Sequence, residues 1–184
     1  CMRIAIIGAG YVGLVSGACF SEFGVEVVCV DKDVQKVGLL NNHQVPIYEP
    51  ELDVIVGKNI KAGRLLFASD IQASVKNVDA VFIAVGTPSR RGDGHADLTF
   101  VYEVAREIAP AINGYTVVVT KSTVPVGTGD EIEKILLDLC SDNSFDVVSN
   151  PEFLREGSAI NDFMRPDRVV IGTKSEKAQE VMRE

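Results

Sequence analysis

The chain has 184 residues, which corresponds to about one domain and is long enough to bury a sizeable core. Apolar residues make up 46% of it and charged residues 24%, a composition that excludes a disordered or collagen-like chain. The balance of 18 Lys and Arg against 26 Asp and Glu gives a net charge of −8, so the sequence offers no basic surface for nonspecific binding of nucleic acid.

Short runs of apolar and β-branched residues alternate with helical patterns along the chain. The predicted strands are Arg3–Ile7, Val25–Val30, Leu65–Ala68, Ala80–Val85, Thr116–Thr120, Asp146–Ser149 and Arg168–Ile171. Two predicted helices have apolar stripes, formed by Val101, Val104, Ala105, Ile108, Ala109 and Ile112 and by Ile132, Ile135, Leu136, Leu139 and Cys140. Several strands are apolar at nearly every position, as strands buried on both faces must be. We predict a doubly wound α/β fold, with a mostly parallel sheet and helices on both faces.

The amino-terminal segment has an alternative interpretation. Arg3 followed by the apolar run Ile4–Phe20 is similar to a secretory signal peptide. The glycines in that run, and the strand-like Val25–Val30 after it, favour a strand, a turn and a helix instead. The run is also too short and too rich in glycine for a membrane span. Cys1 precedes Met2, and we interpret it as an addition ahead of the natural start.

Two further segments are distinguished by composition. Pro88–Asp97 is a polar, glycine-rich loop that we expect to be exposed and mobile. Ser175–Glu184 begins a helix that has no capping glycine or proline before the chain stops. We therefore expect the natural sequence to continue beyond Glu184.

A G-x-G-x-x-G motif follows the first predicted strand, Arg3–Ile7, and opens a segment predicted to be an amphipathic helix through Phe23. Because the motif follows a strand and opens a helix, it indicates a dinucleotide-binding site. Gly8 permits the tight turn, Gly10 lets the backbone approach a pyrophosphate, and Gly13 lets the helix pack closely. The N–H groups at the start of the helix then face the phosphates.

Asp31 ends the second predicted strand, where a carboxylate can accept hydrogen bonds from an adenosine ribose. A carboxylate there would repel a 2′-phosphate, so the sequence favours NAD over NADP and a Rossmann-like fold. Lys36 is a candidate for a cationic contact to the cofactor. The alternative is a nucleotide-free fold in which Asp31 is an exposed helix cap.

Two more strand ends carry a hydroxyl and a proline, in Gly86-Thr87-Pro88 and in Lys121-Ser122-Thr123-Val124-Pro125. Ligands of doubly wound sheets bind beyond the carboxyl ends of the strands, so Thr87 and Thr123 are candidate ligand contacts. Read alone, each segment is equally compatible with a hydroxyl-capped turn.

A pair of carboxylates follows the strand Asp146–Ser149. Glu152 and Glu156 lie one helical turn apart, so both would face the same side, with Arg155 beside them. A carboxylate at a ligand-binding edge can act as a base or hold a water molecule. The alternative is a surface helical turn whose acids complement the helix dipole.

The cysteines and histidines do not form a metal or disulfide pattern. The four cysteines are Cys1, Cys19, Cys29 and Cys140. They are scattered, and we expect the last three to be buried thiols with no nucleophilic role, in a reducing cytoplasm. His43 and His95 lie in polar segments and are predicted to be surface residues, so we expect no bound metal.

Four motifs together resemble one family. They are Met2-Arg3-Ile4-Ala5-Ile6-Ile7-Gly8-Ala9-Gly10-Tyr11-Val12-Gly13-Leu14, Val85-Gly86-Thr87-Pro88, Ser122-Thr123-Val124-Pro125-Val126-Gly127-Thr128 and Asn150-Pro151-Glu152-Phe153-Leu154-Arg155-Glu156. In this order the chain resembles the amino-terminal, NAD-binding domain of the nucleotide-sugar dehydrogenase family, and most closely its UDP-glucose branch. The GDP-mannose and UDP-N-acetylaminosugar branches are the alternatives. The resemblance implies oxidation of UDP-glucose to UDP-glucuronate with two NAD and a water, through a thiohemiacetal and a thioester on a cysteine.

The resemblance and the motifs together assign site residues. The residues that we expect to bind NAD are Gly8, Gly10, Tyr11, Val12, Gly13, Asp31, Lys36, Thr87, Thr123 and Glu156. Expected to line the sugar side are Glu152, Phe153, Leu154, Arg155 and Glu156, with Glu152 and Thr123 as the catalytic residues and Glu152 as the base or water-positioning acid.

The chain departs from the family pattern in one respect. The family's nucleophilic cysteine, its later Lys and Asn and the central helix that forms its dimer have no counterpart here. We therefore expect residues 1–184 to be the NAD-binding half of a homodimeric enzyme and to be inactive alone. Hypotheses of another class are a non-catalytic NAD-sensing domain and a secreted structural domain.

Overall fold

Six strands form one sheet in which every pair of neighbours described is parallel. The computed structural model describes residues 2–88, 92, 94, 97–121, 124–125, 127–140, 145–149, 160 and 176–183. The strands are β1 (Arg3–Ile7), β2 (Glu26–Val30), β3 (Leu65–Ala68), β4 (Ala80–Ile83), β5 (Thr116–Thr120) and β6 (Phe145–Ser149). Their order across the sheet is β3-β2-β1-β4-β5-β6. The predicted doubly wound fold is confirmed.

The strand predictions agree with the structure to within one or two residues. The largest difference is at β4, which ends at Ile83 and not at Val85. Its partner β1 ends opposite it at Ile7, where the chain turns away at Gly8, so the ladder stops there. The predicted strand Arg168–Ile171 lies outside the described residues.

Helices cover both faces of the sheet. They are α1 (Tyr11–Glu22), α2 (Val34–Asn41), α3 (Leu52–Lys61), α4 (Ile71–Val75), α5 (Thr99–Ile108, continued by a 3-10 turn at Ala109–Ala111), α6 (Thr128–Leu139) and α7 (Glu176–Arg183). Buried residues of α1, α2, α3 and α7 form one apolar cluster with one face of the sheet, whereas those of α4, α5 and α6 form a second cluster with the other.

The prediction that the first helix, α1, is amphipathic is wrong. Its residues from Gly13 to Cys19 are all buried, because the helix lies between the sheet and α3. The apolar run Ile4–Phe20 therefore provides a central strand and a core helix, which accounts for its hydrophobicity without a signal peptide. The helix α7 lies within the predicted helical segment Ser175–Glu184.

The apolar stripe of α5 is buried as predicted, but that of α6 is predicted wrongly at one position. Ile132 and Leu136 are buried, whereas Leu139 is 48% exposed. The helix ends at Leu139, and the chain leaves it in an extended conformation that turns Cys140 inward. The amide of Cys140 still donates to the carbonyl of Leu136 at 2.7 Å, and Cys140 is buried as predicted.

A polar network joins α1 to α3 near the amino ends of the strands. The buried Asn59 side chain donates from Nδ2 to Glu22 Oε2 and to the carbonyl of Ile55, both at 2.9 Å. Its Oδ1 accepts from Arg64 Nε at 3.0 Å. Lys58 Nζ lies 2.6 Å from Glu22 Oε1 in a more exposed ion pair. The two helices are thereby held side by side.

Candidate functional site

The connections that follow β1, β2 and β4 meet at the carboxyl edge of the sheet. The strand order reverses between β1 and β4, since the chain moves outward to β2 and β3 on one side and to β5 and β6 on the other. In parallel α/β sheets, ligands bind in the crevice at such a reversal. The glycine motif and Asp31 both lie there.

The glycine turn after β1 requires glycine at two of its three positions. Gly8 has φ +111°, and a Cβ on it would lie 2.7 Å from the carbonyl oxygen of Ala84. A Cβ on Gly13 would lie 1.8 Å from the carbonyl oxygen of Gly8, so close packing of α1 depends on its absence. Gly10 has no neighbour within 4 Å of such a Cβ. Its open surroundings leave space for a ligand beside the start of α1.

The start of α1 has no side-chain cap and no acidic residue in its first turn. The first N–H groups of a helix have no intrahelical acceptors, and together with the helix dipole they favour an anion. Gly10 occupies the N-cap position, in an extended conformation. The backbone at Gly10, Tyr11 and Val12 is thus suited to hold a phosphate group.

Asp31 connects the end of β2 to the glycine turn. Its Oδ2 accepts a hydrogen bond from the amide of Ala9 at 2.9 Å, and its Oδ1 accepts one from the amide of Asp33 at 2.9 Å. Lys36 Nζ lies 3.6 Å from Oδ2. The side chain is 18% exposed. Burial raises the pKa of Asp31, but the hydrogen bonds from Asp33 and Ala9 and the charge of Lys36 outweigh it and hold the pKa below its usual value.

The helix-cap alternative for Asp31 is wrong, because Asp33 caps α2. The Oδ1 atom of Asp33 accepts from the amide of Lys36 at 3.1 Å. The structural partners of Asp31 were not visible in the sequence, since a contact with Ala9 depends on the pairing of β1 with β2.

A cleft of about 170 Å³ opens beside Asp31, between the sheet edge and the helices α4 and α5. It is lined by Ile7, Gly8, Val30, Asp31, Lys32, Ile71, Val85, Phe100, Glu103 and Val104. Most of this lining is apolar, which suits a flat aromatic ring. Sequence reasoning missed Phe100, although the sequence carries a signal, since Phe100 is apolar and lies off the predicted stripe of α5. In the structure its side chain is 51% exposed.

The remaining predicted site residues divide into two groups. Thr87 is half-buried in the connection that follows β4. In the polar loop, the described positions Pro88, Gly92 and Gly94 are exposed as expected, and the amide of Asp97 donates to the carbonyl of Pro88 at 2.6 Å, which closes the loop at its base. Predicted residues outside the described part of the chain are Thr123, Glu152, Phe153, Leu154, Arg155 and Glu156.

The cysteines that the structure describes are buried, as predicted, and none of them forms a disulfide. Burial, with a smaller contribution from Glu22, raises the pKa of Cys19 to about 12. Burial and the charge of Asp31 raise the pKa of Cys29 to about 12, against a smaller effect of Lys36. Thiols that remain protonated at neutral pH are poor nucleophiles.

His43 is exposed, as predicted, and the described residues contain no group of His, Cys, Asp and Glu that could hold a metal ion. Among the helices in the described ranges, each is too short or too polar to cross a bilayer. Cys1 and His95 lie outside the described residues.

Comparison with known proteins identifies the family. Residues 2–184 match the sequence model described as the UDP-glucose/GDP-mannose dehydrogenase family, NAD binding domain. The chain belongs to this family. NAD is therefore the cofactor of the domain, and the glycine turn with its neighbouring carboxylate fits a dinucleotide.

Relatives within the family agree with this assignment. A UDP-glucose 6-dehydrogenase of Rhizobium meliloti (strain 1021) is 61% identical over 185 residues, covering 100% of this chain and 42% of the relative. The structure of a UDP-glucose dehydrogenase from Pyrobaculum islandicum has a TM-score of 0.94 at 40% identity, covering 98% of this chain and 43% of that one. A ternary complex of GDP-mannose dehydrogenase from Pseudomonas aeruginosa has a TM-score of 0.93 at 37% identity, covering 99% and 43%. The chain thus spans less than half the length of these relatives.

Proposed function

We propose that the chain is the NAD-binding half of a UDP-glucose 6-dehydrogenase, which oxidises UDP-glucose to UDP-glucuronate. The proposal of NAD binding rests on one structural observation. The glycine turn is open at Gly10, and the amide of Ala9 in that turn donates to the carboxylate of Asp31. The substrate part is supported by the 61% identity to a relative named UDP-glucose 6-dehydrogenase. Oxidation of a primary alcohol to a carboxylate removes four electrons, which corresponds to two NAD and one water.

The proposed cofactor residues have distinct roles. NAD, when bound, accepts a hydride. We assign the pyrophosphate to the backbone N–H groups at Gly10, Tyr11 and Val12, which start α1. Gly8 and Gly13 act indirectly, because they allow the turn and the close packing of α1 on which those groups depend. Thr87 would contact the cofactor from the end of β4.

Asp31 is proposed to bind the adenosine ribose and to select NAD over NADP. Its lowered pKa keeps the carboxylate ionised at neutral pH, and a 2′-phosphate would be repelled by it. Lys36 Nζ lies 3.6 Å from the Asp31 carboxylate, and we assign it as a second contact to the cofactor. The adenine is assigned to the apolar cleft lined by Ile71, Val104 and Phe100.

The substrate side of the site rests on the family resemblance. We assign Glu152 as the base or water-positioning acid, with Thr123 as the second catalytic residue and Phe153, Leu154, Arg155 and Glu156 along the sugar. Thr123 and Glu156 would also contact NAD. The nucleophile that forms the thioester is proposed to lie in the parent protein beyond this chain, since Cys19, Cys29 and Cys140 are buried.

The experiment that tests this function compares sugar nucleotides. Purified full-length parent protein is incubated with NAD and either UDP-glucose, GDP-mannose or a UDP-N-acetylaminosugar, and NADH absorbance is followed. We expect turnover with UDP-glucose and release of two NADH per sugar. A preference for another sugar nucleotide would move the protein to that branch of the family, and NAD binding without any turnover would favour a sensing domain.

Two further properties are part of the proposal. We place the protein in the cytoplasm, which is supported by the three buried cysteines of the described residues that form no disulfide. We also propose that the parent is a homodimer and that residues 1–184 alone bind NAD but do not turn over, because the sugar would have only one wall of its pocket.

A further inference from the structure

A tyrosine and a glutamate are joined by a hydrogen bond at the carboxyl edge of the sheet. The Tyr11 hydroxyl lies 2.9 Å from Glu49 Oε2. Tyr11 is the first residue of α1 and follows Gly10 directly. Glu49 belongs to the connection between α2 and α3 and is only 5% exposed. The bond therefore ties the start of α1 to a segment 38 residues further along the chain.

The segment that carries Glu49 is well anchored. Val45 and Ile47 pack against the same apolar cluster as α1. The carbonyl of Glu49 accepts a hydrogen bond from the amide of Leu52 at 3.2 Å, at the start of α3. Glu51, between them, has φ +68°, a left-handed conformation that persists in non-glycine residues only when the surroundings impose it. Glu49 is thus presented to Tyr11 from a fixed position.

A carboxylate as buried as that of Glu49 is energetically unfavourable in a contact that is merely structural. Burial of a charged group is unfavourable unless hydrogen bonds compensate for it, and apolar side chains would hold two elements together at lower cost. What a carboxylate adds is a directional acceptor for the Tyr11 hydroxyl. The direction matters because the backbone of Tyr11 is the first turn of α1.

We propose that Glu49 is a positioning residue of the NAD site. By holding the Tyr11 side chain, it fixes the orientation of the first turn of α1, and so aims the N–H groups of that turn at the pyrophosphate. Donors that are already oriented do not have to be ordered when the anion binds, which improves affinity. This inference rests on the proposed function, since it concerns the same cofactor site.

The test measures the Kd for NAD+ by titration calorimetry in wild type, Tyr11→Phe, Glu49→Ala and Glu49→Gln. We expect Tyr11→Phe and Glu49→Ala to weaken binding about two- to tenfold, and the double variant to be no weaker than either single one. Glu49→Gln should restore most of the affinity, because its amide oxygen can accept the same hydrogen bond. The matched controls, Tyr48→Phe at a side chain that is 89% exposed and Glu51→Gln at an exposed one, should bind as wild type does.

The outcomes separate this inference from the proposed function. A merely structural role would lower the Tm, measured in parallel, and leave the Kd of the folded protein unchanged, which would overturn the inference alone. Absence of NAD+ binding by wild type would overturn the proposed function and the inference together. If Glu49→Ala does not fold, Tyr11→Phe decides, because it removes only the hydroxyl and keeps the ring.

Discussion

Asn59 donates a hydrogen bond to Glu22 across the contact between α3 and α1, with 2.9 Å between Nδ2 and Oε2. The same amide group also donates to the carbonyl of Ile55, while its oxygen accepts from Arg64. A single buried side chain therefore satisfies polar groups on two helices and on the turn before β3. We therefore assign Asn59 a role in the stability of the fold and no role in catalysis.

We expect Asn59→Ala to lower the free energy of unfolding by about 1–3 kcal/mol, because it leaves buried polar groups without partners. Urea denaturation measures the change. The control is Lys58→Ala, which breaks the neighbouring exposed ion pair and should cost about 0–1 kcal/mol. Equal effects of the two substitutions would contradict the prediction.

The stability of the protein should depend on the ionisation of Glu22. Hydrogen bonds from Lys58 and Asn59 lower the pKa of Glu22 below its ordinary value of 4.5, against the opposing effect of burial. The carboxylate thus favours folding above pH 4.5, and this contribution is lost as the pH falls through the lower folded value. The free energy of unfolding of wild type and Glu22→Gln should therefore converge in acid. A difference that stayed constant between pH 7 and pH 3 would rule out the linkage.

Asp31→Ala should weaken NAD+ binding by about 1–3 kcal/mol, because it removes an ionised acceptor from the ribose site. It should also reduce the preference for NAD+ over NADP+. Calorimetric titration with both cofactors measures the two effects. Asp33→Ala is the control, since it removes the cap of α2 in the same connection but not the proposed ribose contact. Unchanged cofactor affinities in Asp31→Ala would remove Asp31 from the site.

Alanine at two glycines of the turn should have opposite effects on folding and binding. Gly13→Ala would place a Cβ 1.8 Å from the carbonyl oxygen of Gly8, so we expect it to lose the native fold. Gly10→Ala meets no atom within 4 Å and should fold, but its methyl group would occupy space proposed for the pyrophosphate. Circular dichroism and NAD+ titration distinguish the two. A Gly10→Ala protein that binds NAD+ normally would contradict the proposed pyrophosphate position.

In the full-length parent, Glu152→Gln should lower turnover by roughly 10²–10⁴ while NAD affinity stays close to that of wild type, because it keeps the shape of the side chain but removes the base. Steady-state kinetics and cofactor titration provide the two measurements. Unchanged turnover would favour the interpretation of Glu152 as an acid that complements a helix dipole.

The fold could be predicted from the sequence because the patterns that indicate strands and helices are local. Runs such as Val117-Val118-Val119 have the apolar, β-branched composition that is typical of strands buried on both faces, and the stripe of α5 is buried as its period predicts. Leu139 was predicted wrongly because the periodicity does not show where a helix ends. The loss of amphipathicity in α1 has a different cause, since its second apolar face is covered by α3, far along the chain.

The candidate site was predictable only in part, for a similar reason. Gly8, Gly13 and Asp31 stand in a motif of fixed spacing, so their places in the turn and at the end of β2 followed from the sequence. Glu49 and Phe100 have no such spacing. Their approach to the site depends on how the connection between α2 and α3 and the helix α5 pack, which no local pattern reports.

The hydrogen bond from the amide of Ala9 to Asp31 has an evolutionary consequence. The same two carboxylate oxygens proposed to read the ribose also hold the glycine turn and the chain at Asp33. Selection for a phosphorylated cofactor would act on this carboxylate, and its simple loss would deprive Ala9 of an acceptor. A protein evolving to use NADP would have to gain another acceptor for the Ala9 amide at the same time. The hydrogen bond from Ala9 to Asp31 therefore helps to maintain the preference for NAD.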